Sequence, residues 1–516
     1  MSATTKPNIE RHILVLGDQL TREVGLLTAE QDPATTSVIL IESVELATSM
    51  RHHKQKLVMT FAAMRHFAES LEQDGYHVSY YQSAESFRAG ITQYLEDNLG
   101  VTLEMLNPND YGYIDMLRQS AEDAGGNLKT HPNPLWLSDA KLFTDWAEGK
   151  KELRLEYFYR TMRKRLDYLM DGDQPAGGTW NYDSDNRKTP EKGHTFPEKL
   201  TFERTNITAE VINYIETTFP DHFGTTEAFN YPVTRQQALD ALDHFCETRL
   251  RDFGPFEDAL VQGEPQLYHS LLSAPLNTGL LTPQEVCETA LAYAADGRRK
   301  IPLNSIEGFI RQMIGWREFM FQIYHYKMPE FKDANALGHT RNLPDLFWTG
   351  ETKMNCLKQS LDQLTEHAHN HHIQRLMILG NFALLMGVNP QELLDWFTAC
   401  YIDALDWVMV PNVIGMSQYA DDTFTSKPYV SSANYINKMS DYCKSCHYQH
   451  SKTIEANACP FNSLYWEFID RHETRFGKNP RMNLTLGNWR KRSDDAKQAI
   501  RARAKDVLKL LEAGEL

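Results

Sequence analysis

Between His12 and about Leu135 the chain alternates short aliphatic runs with longer stretches whose apolar residues recur every three or four positions. His12-Ile-Leu-Val-Leu16, Ser37-Val-Ile-Leu-Ile41, Tyr76-His-Val-Ser-Tyr-Tyr81 and Val101-Thr-Leu-Glu-Met-Leu106 have the length and composition of strands. The first two lack polar alternation, the pattern of parallel strands buried on both faces. Between them Phe61, Met64, Phe67, Ala68 and Leu71 fall on one side of a helix. Strands and helices in this alternation predict βαβ units in an open sheet. After about Lys150 strand patterns nearly vanish and helical spacings take over, as in Leu153, Tyr157, Arg160, Met162 and Leu166. The expected fold is an α/β N-terminal domain with an open parallel sheet (1–135), a connecting segment (136–205) whose part from Asp171 to Arg204 is polar and rich in Pro and Gly, and a large all-helical C-terminal domain (206–516).

A chain of 516 residues exceeds what one hydrophobic core supports, which agrees with that division. The start, Met1 to Leu20, has no basic leader followed by an apolar stretch and a cleavage site, so a cytoplasmic protein is expected. The longest apolar run, Leu376 to Val388, is interrupted by Asn381 and too short to span a bilayer; a buried helix and no membrane association are expected. The net charge of −16 excludes a protein that coats nucleic acid indiscriminately, because such binding rests on phosphate neutralisation. A nucleic-acid site must then be a local basic patch. Arg160, Arg163, Lys164 and Arg165, then Arg187 and Lys188, and then Arg490-Lys-Arg492 are the candidates, with solvated helix faces as the plainer reading.

The seven cysteines argue for free thiols or metal ligation rather than a disulfide framework. Cys443-Lys-Ser-Cys446, followed by Cys459-Pro460, brings two thiolates within reach of one soft metal centre, and Cys356 is the candidate fourth ligand. Spacing alone fits zinc or an iron–sulfur cluster equally. Cys246, Cys287 and Cys400 sit in apolar helical patterns as small buried thiols do. His367, His369, His371 and His372 form a second cluster, read as one helical segment running into Gln374; capping, metal binding and general acid catalysis are its alternatives. Asp403, Asp406 and Asn412 surround an apolar stretch, where polar groups either cap a helix or orient a cofactor. Gly17-Asp18-Gln19 and Glu42 follow strands, at the rim where open sheets bind ligands, with turn and capping roles as the alternative.

The segment Glu307-Gly-Phe-Ile-Arg-Gln-Met-Ile-Gly-Trp-Arg-Glu-Phe319 resembles the flavin-binding core of photolyases and cryptochromes, and His269-Ser-Leu-Leu-Ser273 with Leu276-Asn-Thr-Gly279 is similar to the family's phosphate-contacting helix start. From Leu14-Val-Leu-Gly-Asp-Gln-Leu20 through Asn412-Val-Ile-Gly-Met-Ser-Gln418 to Asn434-Tyr-Ile-Asn-Lys-Met-Ser-Asp-Tyr-Cys443 the chain looks like the bacterial iron–sulfur (6-4) photolyases. The resemblance implies a [4Fe–4S] cluster on Cys356, Cys443, Cys446 and Cys459, and FAD in the helical domain with Ser270, Ser273, Gln312, Arg317, Arg375, Asp406 and Asn412 as contacts. The stretch Gln312-Met-Ile-Gly-Trp316 is one residue wider than in the classical family. Trp348 and Trp396 match electron-relay tryptophans, and the antenna, 6,7-dimethyl-8-ribityllumazine, is expected in the N-terminal sheet near Asp18, Gln19 and Glu42.

By the same resemblance the substrate is a pyrimidine lesion flipped out of UV-damaged DNA, with His372 as proton donor and His371, Tyr429 and Tyr435 lining the pocket. A monomer is expected. Two further activities fit the architecture: a blue-light photoreceptor of the cryptochrome kind, and a photolyase acting on cyclobutane dimers.

Overall fold

The computed structural model describes residues 8–191, 193–423 and 425–516. Five parallel strands, β1 (Arg11–Val15), β2 (Thr36–Ser43), β3 (His77–Ala84), β4 (Thr102–Leu106) and β5 (Asn127–His131), form one sheet in the order β3-β2-β1-β4-β5. Alternate residues of the central strands enter two cores. Ile13, Val15, Val38 and Leu40 face the helix Lys54–Gln73, while Leu14, Leu16, Ile39 and Ile41 pack with Ile91, Tyr94, Leu95 and Leu117 of the helices Phe87–Asp97 and Tyr113–Asp123. Cover on both faces is why these strands read as unbroken apolar runs. β5, Asn-Leu-Lys-Thr-His, is a largely exposed edge strand, and that polar composition leaves little apolar pattern to read.

The remainder is largely helical, as the spacing after Lys150 predicts, with one short antiparallel pair at Met170–Asp171 and Gln174–Pro175. The segment 136–205 is more than a connection. Its helices Ala140–Ala147 and Leu155–Leu166 set Phe143 and Phe158 against Phe319 of the helix Glu318–Lys327. The buried face of the second is Phe158, Tyr159 and Met162; Tyr157, expected on it, is exposed because the stripe lies one residue later.

The sheet and the helical half share a tight boundary. The helix Lys54–Gln73 begins inside the helical half, where Gln55 Nε2 donates to the carbonyls of Thr225 at 2.7 Å and Glu366 at 2.6 Å. Glu318, buried, accepts from the Leu137 and Ser138 amides and the Ser138 hydroxyl. Gly279 has φ of +82°, and a Cβ there would stand 2.8 Å from the Leu20 nitrogen, so only glycine lets the two halves meet at that point. No helix among the described residues is long and apolar enough to cross a membrane.

Candidate active site and four-cysteine cavity

Three π-helical segments occur among the described residues: Arg311–Arg317, Gln374–Gly380 and Pro411–Ser417. Each accommodates an extra residue in its turn, and such segments concentrate at functional sites. They carry Gln312, Arg317, Arg375 and Asn412. The first accounts physically for the widened Gln312 to Trp316 spacing. The second and third cross at Gly380, where a Cβ would strike Ser417 Oγ, and Gln418 Nε2 donates to the Gly380 carbonyl at 3.0 Å.

Arg375 and Asp403 form a two-pronged ion pair of 2.9 and 3.1 Å, with Arg375 Nε donating to the Asn370 carbonyl at 2.9 Å and the guanidinium lying 4.2 Å from the Tyr401 ring centre. Burial pushes the Asp403 carboxyl up, but the Arg375 charge and hydrogen bond, with help from Ser273, overcome this and hold it at about 2. Ser273 and Arg375 are thus brought together. Asp406 is not: it accepts from Tyr324 Oη at 2.8 Å and Lys332 Nζ at 2.7 Å, so the carboxylate that meets Arg375 lies three residues earlier. Arg317 turns to the domain boundary, 3.9 Å from the Trp136 ring centre and 3.2 Å from the Leu135 carbonyl. Asn412 Nδ2 donates within its own helical stretch to Val408 O at 2.8 Å.

The histidines do not lie on one helix. Helix Asn355–His367 ends as Ala368 turns left-handed (φ 53°), and His369 to His371 form a loop before helical structure resumes at His372. The loop is held from both sides, since Asn370 Nδ2 donates to Ser360 O at 2.9 Å and Tyr401 Oη donates to Asn370 Oδ1 at 2.7 Å. His371 stacks on His269, ring centres 3.9 Å apart, and His269 Nε2 lies 3.1 Å from the Glu257 carbonyl, which fixes that nitrogen as the N–H. His372 is exposed at its outer face, while the protein packed around it and then the Arg375 charge hold its pKa down to about 4. Burial likewise lowers His269 to about 4 and His369 to about 3.

Ser270, Leu271, His367 and His369 line an open cleft with about 840 Å³ of empty space. On another side Glu257 accepts from Gln312 Nε2 and Asn186 Nδ2, each at 2.7 Å, and burial raises its pKa to about 7. Tyr429 is exposed and Tyr435 half-buried; both feel the charge of Asp183, and burial pushes Tyr435 up to about 12.

The four cysteines come together from distant parts of the chain. Cys356 lies in the first turn of helix Asn355–His367, Cys443 in the turn Tyr442–Ser445, Cys446 just after it, and Cys459 at the N-terminus of helix Pro460–Arg471. All four line one small pocket, together with Met354, Ile436, Tyr442 and Phe461 among others. Four thiols drawn from three separate segments into one pocket form a donor set suited to a thiophilic metal centre. Cys246, Cys287 and Cys400 are buried elsewhere.

Comparison with known proteins agrees with this geometry. The family of deoxyribodipyrimidine photo-lyase-related proteins matches residues 13–231. A (6-4) photolyase of Agrobacterium fabrum is 41% identical over 507 residues, covering 97% of this chain and 99% of that one. The chain belongs to the (6-4) photolyase family. Its fold is also that of a class III photolyase from Agrobacterium tumefaciens (TM-score 0.57, 16% identity, 99% of this chain and 100% of that one). An archaeal photolyase from Sulfolobus tokodaii with two FAD molecules is similar at TM-score 0.52 and 14% identity, over 91% and 94% of the two chains.

In this photolyase-family chain Trp396 is buried, 5.1 Å from the Phe347 ring and 6.0 Å from Tyr401, whereas Trp348 is half-buried with Arg51 at 5.3 Å from its ring. The three rim residues of the sheet separate. Asp18 accepts from Asn109 Nδ2 at 2.8 Å and Gln19 Nε2 donates to Asn107 O at 3.0 Å, both at the crevice between β1 and β4 where strand order reverses. Glu42 is taken up by Arg65 at 2.7 and 3.0 Å and by Tyr80 Oη at 2.7 Å. Of the basic candidates, Arg163 is buried and donates to the carbonyls of Tyr168, Leu169 and Trp180, so it is a structural residue. Arg160 pairs with Glu156, Arg187 with Asp183 and Arg490 with Glu473. The sequence reading missed Glu257, Tyr401 and the His269 stack. Glu257 offered one sign, an acidic residue directly after the apolar turn Phe253-Gly-Pro-Phe256.

Proposed function

We propose that this protein repairs (6-4) pyrimidine photoproducts in UV-damaged DNA under light, with FAD in its helical half. The observation that carries the reading is the stacked, recessed histidine loop beside the Arg375–Asp403 pair, in a chain 41% identical along almost its whole length to a (6-4) photolyase. The open cleft at Ser270, together with the buried His269 Nδ1 that has no partner among the described residues, suits a large polar cofactor. Ser270, Ser273, Gln312, Arg375 and Asn412 would hold FAD, with Asp403 keeping Arg375 oriented; Arg317 and Asp406 support it from the domain boundary. Reduced FAD, when bound, supplies the light-driven electron.

The chain's own residues do the rest. Tyr429 and Tyr435 would receive a lesion extruded from the duplex, a step that is less costly for bases that already stack poorly. Lys188 and Lys491, which form no ion pair among the described residues, would supply local positive charge for the flanking phosphates. His372 donates the proton that the rearranging bases need, and His371 holds its place. In the bare chain His372 is neutral near pH 7, and an anionic cofactor or lesion in the cleft raises its affinity for a proton. Cys356, Cys443, Cys446 and Cys459 would ligate a [4Fe–4S] cluster. A 6,7-dimethyl-8-ribityllumazine antenna would sit at the β1/β4 crevice by Asp18 and Gln19. The protein acts as a cytoplasmic monomer.

His372→Ala tests the assignment. The variant should keep FAD and DNA binding while light-dependent repair falls by roughly 10²- to 10⁴-fold, the range for a lost general acid; full repair by the variant removes the proton-donor role.

A further inference from the structure

The segments that surround the four-cysteine cavity also grip the histidine loop. Helix Asn355–His367 carries Cys356 at one end and Gln363 towards the other, where Gln363 Nε2 donates to the His369 carbonyl at 3.1 Å. Tyr442, next to Cys443, lines the cavity and is buried, and its carbonyl accepts from Asn355 Nδ2 at 2.9 Å. Its hydroxyl accepts from Gln374 Nε2 at 3.2 Å.

Gln374 is 1% exposed, and both its amide nitrogen and its amide oxygen are hydrogen-bonded. Nε2 donates to Gln363 Oε1 at 3.0 Å as well as to Tyr442, and Oε1 accepts the His371 backbone N–H at 2.8 Å. A buried amide held at three points has one orientation, and the group it accepts from is placed by the groups it donates to. Building on the repair reading above, we propose that Gln374 is a positioning residue that ties His371, and with it the proton-donating pair, to the two chain segments that bear Cys356 and Cys443. The cysteine cavity then has a mechanical role at the active site, whether or not its metal group carries electrons. Ligation that cross-links distant segments fixes what those segments hold, much as outer-shell hydrogen bonds orient a ligand.

Because coupling between two sites is reciprocal, the tie is readable from both ends. The iron-loaded, flavin-loaded full chain would be compared with Tyr442→Phe, which removes one oxygen and leaves Cys443 and Asn355 untouched, and with Gln374→Leu. Affinity for (6-4) DNA should stay unchanged. Repair at saturating DNA should fall roughly fivefold in Tyr442→Phe, and about 100-fold in Gln374→Leu, the scale of a misplaced catalytic group. A chelator should strip iron several times faster from Gln374→Leu than from the wild type. Wild-type repair rates in Tyr442→Phe, unchanged iron release in Gln374→Leu, or a loss confined to DNA affinity would each overturn the proposal, and Tyr442→Phe decides alone if Gln374→Leu does not fold. A wild-type protein that repairs nothing refutes the repair reading instead, while iron release still decides the tie.

Discussion

The crevice at the edge of the sheet and the site in the helices handle buried charge in opposite ways. At the β1/β4 crevice Asp110 feels the charges of both Asp18 and Asp406, and burial, joined at Asp110 by these carboxylates, raises the pKa values of Asp18 and Asp110 to about 6 and about 7. In the helical half one carboxylate, Asp403, meets one guanidinium and stays ionised down to about pH 2, while the neighbouring His369 and His372 are neutral near pH 7. The first arrangement holds protons near neutrality and accumulates strain as pH rises. The second is satisfied internally and leaves neighbouring imidazoles free to respond to whatever charge enters the cleft. On the proposed function, that contrast would separate a ligand rim from a site built for proton supply.

The largest expected effect breaks the helical side. Cys443→Ser should lose the iron chromophore and fold poorly, with amide exchange rising over residues 355–375 and 433–471 while β1 to β5 stay protected. A soluble, iron-free, repair-active variant contradicts this. Next, Asp403→Ala strands the Arg375 charge inside the protein and should cost about 3–5 kcal/mol in denaturant unfolding, with weakened flavin retention. An unchanged midpoint would mean that the pair is solvated and the contrast with the crevice is false.

Acid sharpens the same comparison. Burial lowers His52, His339 and His369 to about 3 and His53, His269, His372 and His472 to about 4. The unfolded chain therefore takes up protons first, and stability is lost as pH falls from about 6.5 towards 4. The raised carboxyls of Glu257 and Asp110 act in the other direction: their native forms keep protons up to about 7, so their contribution fades as pH rises through that value. Thermal unfolding between pH 4 and 8 should show the steep fall on the acid side. The smallest effect is Asp110→Asn, which should gain about 1 kcal/mol above pH 7 and nothing near pH 4; equal gains at both ends would show that like-charge burial is not the cause.

Much of this was legible in the sequence. Strands β1 and β2 announced themselves because cover on both faces demands continuous apolar residues, whereas β5, lying at an edge, carried no such mark. The four cysteines were readable as a set, yet spacing along the chain could not show all four lining one pocket; that needs the fold. Arg375 and Asp403 were each singled out, but for separate reasons; their pairing joins residues 28 positions apart across π-helical turns, which no local spacing displays. His367 to His372 looked like one helix, and only the left-handed turn at Ala368 reveals a loop. The stack of His269 on His371 joins residues about a hundred positions apart, beyond any local pattern.

The most direct measurement is illumination of the reduced, cofactor-loaded protein with two DNA duplexes, one carrying a (6-4) photoproduct and one a cyclobutane dimer, followed by quantification of restored thymines. Restoration of the (6-4) duplex in light and not in darkness, with the dimer left intact, is the predicted result. Repair of the dimer alone, or of neither while the flavin still photoreduces, would contradict the account and leave a different lesion or a light-sensing role in its place.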